Sequence, residues 1–327
     1  MKHLARALSL TLVLISAVSA GPVQKERVPA DAKWLLHLDF DKFRASKVGG
    51  YLTREVLEKK LAGPKADLKR DLNFDLDITK ISSITAFGTD YQSHPDANGV
   101  LLIKTDLDVQ KALDGAIQKI SADSGGSAEP IKKLPGSSAA YSINDDVFVT
   151  IRPDKLVLLG KSRQPVEKAA AVLEGKAASL NSSKAFSGFP EVPKAFFFVA
   201  IAEAFNEDTP LPPQAKVLKM TDGGRLVLGE NAENLFLNLT LKAKSSEVVS
   251  QMQQVIQGTV ALASLSQEEN PDLMQLAQSV KVSSDDKMVT VGVEYPVAKA
   301  IEKLSEKAGD RKGGRAQPRS KPNEKNE

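Results

Sequence analysis

Apolar residues recur along the chain with two periods, one typical of strands and one typical of helices. Alternate positions from Trp34 to Phe40 are apolar, which predicts a strand that carries Trp34, Leu36 and Leu38 on one face. Further short apolar or alternating segments predict strands at 81–87, 100–104, 139–143, 147–151 and 156–159. Helical spacing predicts helices at 51–61, 109–120 and 248–260, and prolines at 165 and 296 suit the first turn of two more.

The order of these elements predicts the fold class. Strands come in pairs joined by turn residues such as Asn144-Asp145 and Pro153-Asp154, and helices stand between the strand clusters. Hairpins build antiparallel sheets, and a helix with one apolar stripe covers one sheet face. We therefore predict an α+β fold, with helices packed on one face of a mainly antiparallel sheet.

Segments of the first half of the chain recur in the same order in the second half. Four pairs match: 28–38 with 192–200, 108–118 with 247–257, 145–151 with 285–291, and 165–169 with 296–300. This period is too long for a solenoid repeat and indicates a tandem duplication. We predict two related α+β domains, at 21–184 and 185–308, with one hairpin lost from the second.

The two ends of the chain carry different signals. Residues 1–20 combine Lys2 and Arg6, an apolar run and small residues up to Ala20, which predicts a secretory signal peptide cleaved near Ala20. The apolar run is shorter than the roughly 20 residues that span a bilayer, and we predict no transmembrane segment in the mature chain. Residues 309–327 have no large apolar side chain and predict a disordered basic tail. We expect a secreted or periplasmic protein.

Charge and cysteine content narrow the function classes. The chain of 327 residues has a formal net charge of +3 and no cysteine. Without the two ends, 36 basic and 38 acidic residues remain, so the core lacks the basic excess that nucleic-acid binding needs. The absence of cysteine excludes disulfides, thiol catalysis and thiolate metal sites. We predict no nucleic-acid partner.

Two short motifs frame the first predicted strands. Val28-Pro29-Ala30-Asp31 precedes the first strand, and Phe74-Asp75-Leu76-Asp77-Ile78 precedes a strand that ends in Phe87-Gly88. In these motifs the chain resembles a family of exported bacterial proteins of unknown function, which opens with Val-Pro-Ala-Asp before its first strand. The resemblance implies a location in the cell envelope and supplies no catalytic residue.

Nucleophilic hydrolysis would need a serine or threonine beside a histidine base. His3 lies in the predicted signal peptide, His37 lies on the polar face of the first strand beside Asp39, and His94 lies in a turn. No G-x-S-x-G elbow marks a strand–helix junction. We interpret His37 and His94 as surface residues and predict no catalytic residue.

Acidic residues suggest a metal loop and paired carboxylates. Alternating oxygen-bearing side chains form a candidate calcium loop at Asp71, Asn73, Asp75 and Asp77. The glycine and the glutamate of an EF-hand are missing, so a polar turn is the favoured interpretation.

Glycoside hydrolysis uses paired carboxylates, and such pairs occur at Asp39/Asp41, Asp145/Asp146 and Asp285/Asp286. The last two pairs occupy predicted turns, where aspartate is common. We predict no metal ligand and no cofactor.

Two functions without catalysis remain. The first is an interaction module that binds an envelope protein through its sheet. The second is a periplasmic carrier of an apolar ligand or lipid, suggested by Phe186, Phe189 and Phe196-Phe197-Phe198. A buried strand explains the phenylalanine run equally well. We expect the interaction module, with the carrier as the alternative and a hydrolase third.

Overall fold

The computed structural model describes residues 23–91, 98–124, 130–136, 139–205, 213–265 and 271–313. The predicted signal peptide, His94 and the predicted tail beyond residue 313 lie outside these ranges. The last helix, Val297–Gly313, continues past residue 308 and takes up the first part of the predicted tail. Within the described ranges, no helix has both the length and the apolar character that crossing a membrane requires.

The strands of the described chain pair into one 12-stranded antiparallel sheet. They are β1 (Trp34–Asp39), β2 (Ile81–Gly88), β3 (Val100–Thr105), β4 (Ile131–Leu134), β5 (Ala139–Ile143), β6 (Val147–Ile151), β7 (Leu156–Gly160), β8 (Phe196–Glu203), β9 (Thr221–Glu230), β10 (Asn234–Ala243), β11 (Lys281–Ser284) and β12 (Met288–Pro296). Their order is β11-β12-β10-β9-β8-β1-β2-β3-β7-β6-β5-β4. Each half of the chain builds one side of the sheet, and the two sides join where β1 pairs with β8. The predicted α+β class with a mainly antiparallel sheet is confirmed.

Helices connect the strand clusters. They are α1 (Phe40–Ala45), α2 (Lys47–Leu52), α3 (Glu58–Leu72), α4 (Val109–Ser124), α5 (Arg163–Leu173), α6 (Ser246–Leu265), α7 (Pro271–Ser279) and α8 (Val297–Gly313). A π-helical segment, Thr53–Leu57, joins α2 to α3, so the helix predicted at 51–61 is part of a longer one. Short 3-10 segments occur at Lys25–Arg27, Ile78–Lys80, Leu180–Ser182 and Pro213–Met220.

Helices cover both faces of the sheet, and the prediction of a single covered face is wrong. On β7, Leu156 and Leu158 belong to a cluster with Val166 of α5, whereas Val157 belongs to a cluster with Leu113 of α4. Successive strand residues point to opposite faces, so α4 and α5 lie on opposite sides. We call the face of α4 the front face and the face of α5 the back face. The sequence could not assign either face, because both strand faces carry apolar residues.

Helix α6 lies on the same face as α4, at the far side of the sheet. Met252 of α6 packs against Leu241 of β10 and Val289 of β12. Across the ladder, Leu241 is opposite Gly224, which is opposite Ala202, which is opposite Trp34. Directly opposed residues share a face, so Leu241 lies on the front face with Trp34 and Leu36. On the front face, α4 therefore packs on one side of the sheet and α6 on the other, and the central strands lie between them.

Glu230, at the end of β9, ties the second half of the sheet to the first helices. Its Oε1 accepts a hydrogen bond from the Lys47 N–H at 2.7 Å, and its Oε2 accepts one from the Val48 N–H at 3.0 Å. These N–H groups belong to the first turn of α2, where no intrahelical acceptor exists. A carboxylate at this end of a helix is also favoured by the helix dipole.

We expect Glu230→Ala to lower the free energy of unfolding by about 1–2 kcal/mol, because it removes both acceptors at once. Urea denaturation of the purified protein measures the change. Glu233→Ala is the matched control, since Glu233 lies in the adjacent exposed turn, and it should change stability by less than about 0.5 kcal/mol. Equal losses in the two variants would contradict the capping role.

Candidate functional site

Strand β1 exposes its apolar face and buries its polar one. Leu35, His37 and Asp39 point to the back face and are at most 4% exposed. Leu36, on the front face, keeps 41% of its surface exposed. A half-buried sheet normally turns its apolar face to the core. An exposed leucine on the apolar face of a central strand therefore marks a surface that the described residues leave uncovered.

The interpretation of His37 as a surface residue is wrong. Its ring is buried, and Nδ1 lies 2.9 Å from the Thr85 hydroxyl on β2. Asp39 is also buried, and its carboxylate accepts a hydrogen bond from the Lys42 N–H at 3.0 Å at the start of α1. Burial raises the pKa of Asp39, although the nearby Lys42 opposes the shift. Both side chains are buried because they lie on the covered back face of β1, where His37 contacts β2 and Asp39 caps the start of α1.

A row of aliphatic and alanine side chains crosses the front face. The cross-strand register places Leu36 between Ala86 of β2 and Ala200 of β8. The full row is Leu159, Leu101, Ala86, Leu36, Ala200, Leu226 and Leu239. Near its centre, Leu36 is 41% exposed and Leu101 is 42% exposed. We call this row, together with Trp34 on the same face, the apolar trough.

Trp34 stands between two lobes of the apolar trough, each with a volume of about 400 Å³. The β8 lobe is lined by Leu36, Ala200, Ala202, Leu226, Leu239 and Leu241, and by Tyr91, Phe205 and Leu218 at its edge. The β3 lobe is lined by Ala86, Val100, Leu101, Val147 and Leu159. Both volumes are typical of small-molecule sites, which are also mainly apolar.

The Trp34 indole is held in one position. Its Nε1 donates a hydrogen bond to the Asp90 carbonyl oxygen at 3.0 Å. Its ring lies on Gly88 of β2, where an added Cβ would come within 2.5 Å of the Trp34 Cζ2. Glycine at position 88 is therefore required for the ring to lie flat against the sheet. The indole forms a fixed ridge between the lobes.

Tyr91 borders the β8 lobe without adding charge. Its hydroxyl oxygen lies 2.6 Å from the Lys33 carbonyl oxygen and 3.0 Å from that of Glu203, and its single proton is shared between these two acceptors. Its ring centre lies 4.9 Å from that of Phe205. Burial, followed by the charge of Glu203, raises the pKa of Tyr91 well above its usual value. The phenol therefore stays neutral, and its apolar ring is what the lobe presents to a ligand.

Charged side chains are few along the trough. Asp90 borders the β8 lobe and Lys161 borders the β3 lobe. Arg225 also belongs to the β8 lobe, but its guanidinium lies 5.3 Å from the Phe189 ring and donates to the Pro190 carbonyl oxygen. Burial lowers the pKa of Arg225. The lining is therefore mostly hydrocarbon and suits an apolar molecule.

Two of the four residues of the candidate calcium loop, Asp71 and Asp77, form other interactions. The Asp71 carboxylate forms a hydrogen-bonded ion pair with Arg70 at 2.9 Å, which lowers the pKa of Asp71. Asp77 accepts hydrogen bonds from Thr79 at the start of a 3-10 segment, and these lower its pKa. Across the ranges that the structure describes, no group of three or more histidine, aspartate or glutamate residues is placed to hold a metal ion.

The paired carboxylates and the phenylalanine run also lie outside the lining of the apolar trough. Asp41 pairs with Arg44, Asp145 with Lys132 at 2.9 Å, and Asp285 accepts from the Met288 N–H at 2.9 Å. These contacts are local and hold turns or helix ends. Phe196 and Phe197 are buried in the core. The residues of the trough were missed because a strand pattern does not show which face stays open.

Fold and site together define an α+β protein with one open antiparallel sheet whose front face carries an apolar trough. No family model matches the chain, and no curated protein matches it significantly. Solved structures of TP0453 are similar. Crystal form III aligns over 86% of this chain and 97% of that chain, with 9% identity and a TM-score of 0.46. Crystal form I aligns over 88% and 98%, with 8% identity and a TM-score of 0.44.

Proposed function

We propose that the protein binds an apolar ligand in the apolar trough and carries it without catalysing a reaction. The observation that supports this most directly is the exposed apolar row at the centre of the sheet. Large exposed apolar surfaces on soluble domains are typical of ligand or partner sites. Burying a fully exposed leucine side chain contributes roughly 1.5–3 kcal/mol, and covering Leu36 and Leu101, which are 41% and 42% exposed, contributes a part of this each.

The proposal extends to location and origin. Residues 1–20 support export, so the carrier would work in the periplasm or outside the cell, as a protein with no enzymatic role. A tandem duplication accounts for the sheet order, because β1-β2-β3-β7 and β8-β9-β10-β12 run outward from the β1–β8 pair. This order makes β12 the counterpart of β7, whereas the sequence match between 145–151 and 285–291 pairs β12 with β6, the next strand of the sheet. Each lobe would then derive mainly from one repeat.

Two measurements on the purified mature protein test the carrier function. Organic extraction followed by mass spectrometry should release an apolar molecule in near-stoichiometric amount. After removal of that molecule, a fatty acid brominated along its chain should quench the fluorescence of Trp34, which is the only tryptophan of the chain. A clean extract, combined with unchanged fluorescence, would rule out ligand binding in the trough.

A second candidate function is the interaction module. Val255 and Leu262 of α6 and Leu276 of α7 are 53%, 69% and 39% exposed. These exposed apolar side chains lie outside the trough lining. If another protein docks here, Val255→Asp with Leu262→Asp should remove a crosslinked partner from the native envelope fraction while ligand binding in the trough is retained.

A further inference from the structure

The two lobes of the apolar trough lie on either side of a fixed ridge. The β8 lobe contains Ala200 and Leu226, the β3 lobe contains Ala86 and Leu101, and Trp34 borders both. The hydrogen bond to Asp90 and the close packing on Gly88 hold the indole in place. A ligand with two apolar chains can therefore place one chain on each side of Trp34.

The lining of the trough suits a molecule with apolar chains and one polar end. Along both lobes the side chains are mainly aliphatic, alanine or aromatic, which matches uncharged chains. Asp90 and Lys161, one acid and one base, lie at the end of the sheet that carries Trp34. The register shows this, because Trp34 is opposite Gly88, and Val100 next to that end is opposite Gly160. The Asp90 carboxylate accepts a hydrogen bond from the Asn98 side-chain amide at 2.9 Å, so this end of the trough is its polar end.

We propose that the ligand is a lipid with two hydrocarbon chains, one in each lobe, and with its headgroup at the Trp34 end of the sheet. This proposal rests on the carrier function. The number of chains follows from the two lobes beside Trp34, the chemistry of the chains from the lining, and the place of the headgroup from the polar end that Asp90 and Lys161 mark.

Probes that differ only in chain number test this assignment. Dioctanoyl phosphatidylcholine has two chains and octanoyl lysophosphatidylcholine has one, and both are used below the concentration at which they form micelles. Trp34 fluorescence reports binding, and native mass spectrometry reports stoichiometry. Wild-type protein should bind one two-chain molecule, or two one-chain molecules.

Variants that fill a single lobe sharpen the test. Ala200→Phe fills the β8 lobe and Ala86→Phe fills the β3 lobe, and phenylalanine is well suited to a strand. Each variant should bind one single-chain molecule instead of two and lose at least tenfold in affinity for the two-chain lipid. Ala261→Phe, on the exposed side of α6, is the matched control and should behave as wild type.

The outcomes separate this proposal from the carrier function. If filling one lobe leaves the affinity for the two-chain lipid unchanged, or if wild type binds a single one-chain molecule, the two-chain assignment is wrong and the carrier function stands. If neither probe binds, the carrier function fails as well. A wild-type dimer that Leu36→Asp converts to monomers would show that a second copy of the chain covers the trough, and it would overturn both.

Discussion

Leu36→Asp should lower the affinity for an apolar ligand by about a hundredfold or more while the protein stays folded. A carboxylate at the centre of the trough would have to give up its water when the ligand covers it, and this desolvation costs several kcal/mol. Each 1.4 kcal/mol corresponds to a tenfold change in affinity. In the free protein Leu36 is 41% exposed, so the charge remains hydrated and the fold tolerates it. Titration with a brominated fatty acid, followed by Trp34 fluorescence, measures the loss.

Two control variants make this result specific. Val255→Asp places the same charge on an exposed apolar position of α6, outside the trough lining, and should leave ligand affinity unchanged. Leu36→Asn introduces polarity without charge and should cause a smaller loss than Leu36→Asp. If Val255→Asp weakens binding as much as Leu36→Asp, the ligand site lies on α6 and the assignment to the trough is wrong.

Leu35→Ala should lower the free energy of unfolding by about 2–5 kcal/mol, the range measured for large-to-small substitutions in protein cores. Leu35 is completely buried and packs on the back face with Phe87, Leu102 and Leu158. Removing its side chain leaves a cavity that these neighbours fill only in part. Urea denaturation at equilibrium gives the change directly.

The neighbouring residue provides the comparison for Leu35. Leu36→Ala removes the same atoms from the adjacent position of the same strand, but on the exposed front face. Its effect on stability without ligand should stay below about 1 kcal/mol, because little buried surface is lost. The opposite ranking, with Leu36→Ala the more damaging, would mean that the front face of β1 is the covered one and that the trough does not exist as described.

Much of the local structure could be predicted from the sequence. Alternation from Trp34 to Phe40 correctly indicated β1, and the spacing from Val109 to Ile120 correctly indicated α4. These predictions succeed because the period of side-chain direction is a local property of the backbone. Asp285 was correctly placed in a turn for the same reason, since its side chain bonds to backbone groups only two or three residues ahead.

The candidate site could not be predicted in the same way. The trough depends on Leu36 lying between Ala86 and Ala200, and both partners are far away in the sequence. His37 was misplaced for a related reason: a polar residue on an alternating strand normally faces water, and here the helices cover that side. The signal available in the sequence was weak. Leu35 is apolar on the same face as His37 and Asp39, so that face was never wholly polar.

The sequence by itself determined the period of each element, the antiparallel α+β class and the turns between strands. Only the tertiary structure decided that the two halves share one sheet, that helices pack on both faces and that the apolar face of β1 stays open. The physical reason is the separation along the chain of the residues that interact. Hydrophobic periodicity fixes which side chains point the same way within one strand. Which face is buried depends on pairings such as β1 with β8 and on where α4 and α6 dock, and those contacts join residues that no local pattern relates.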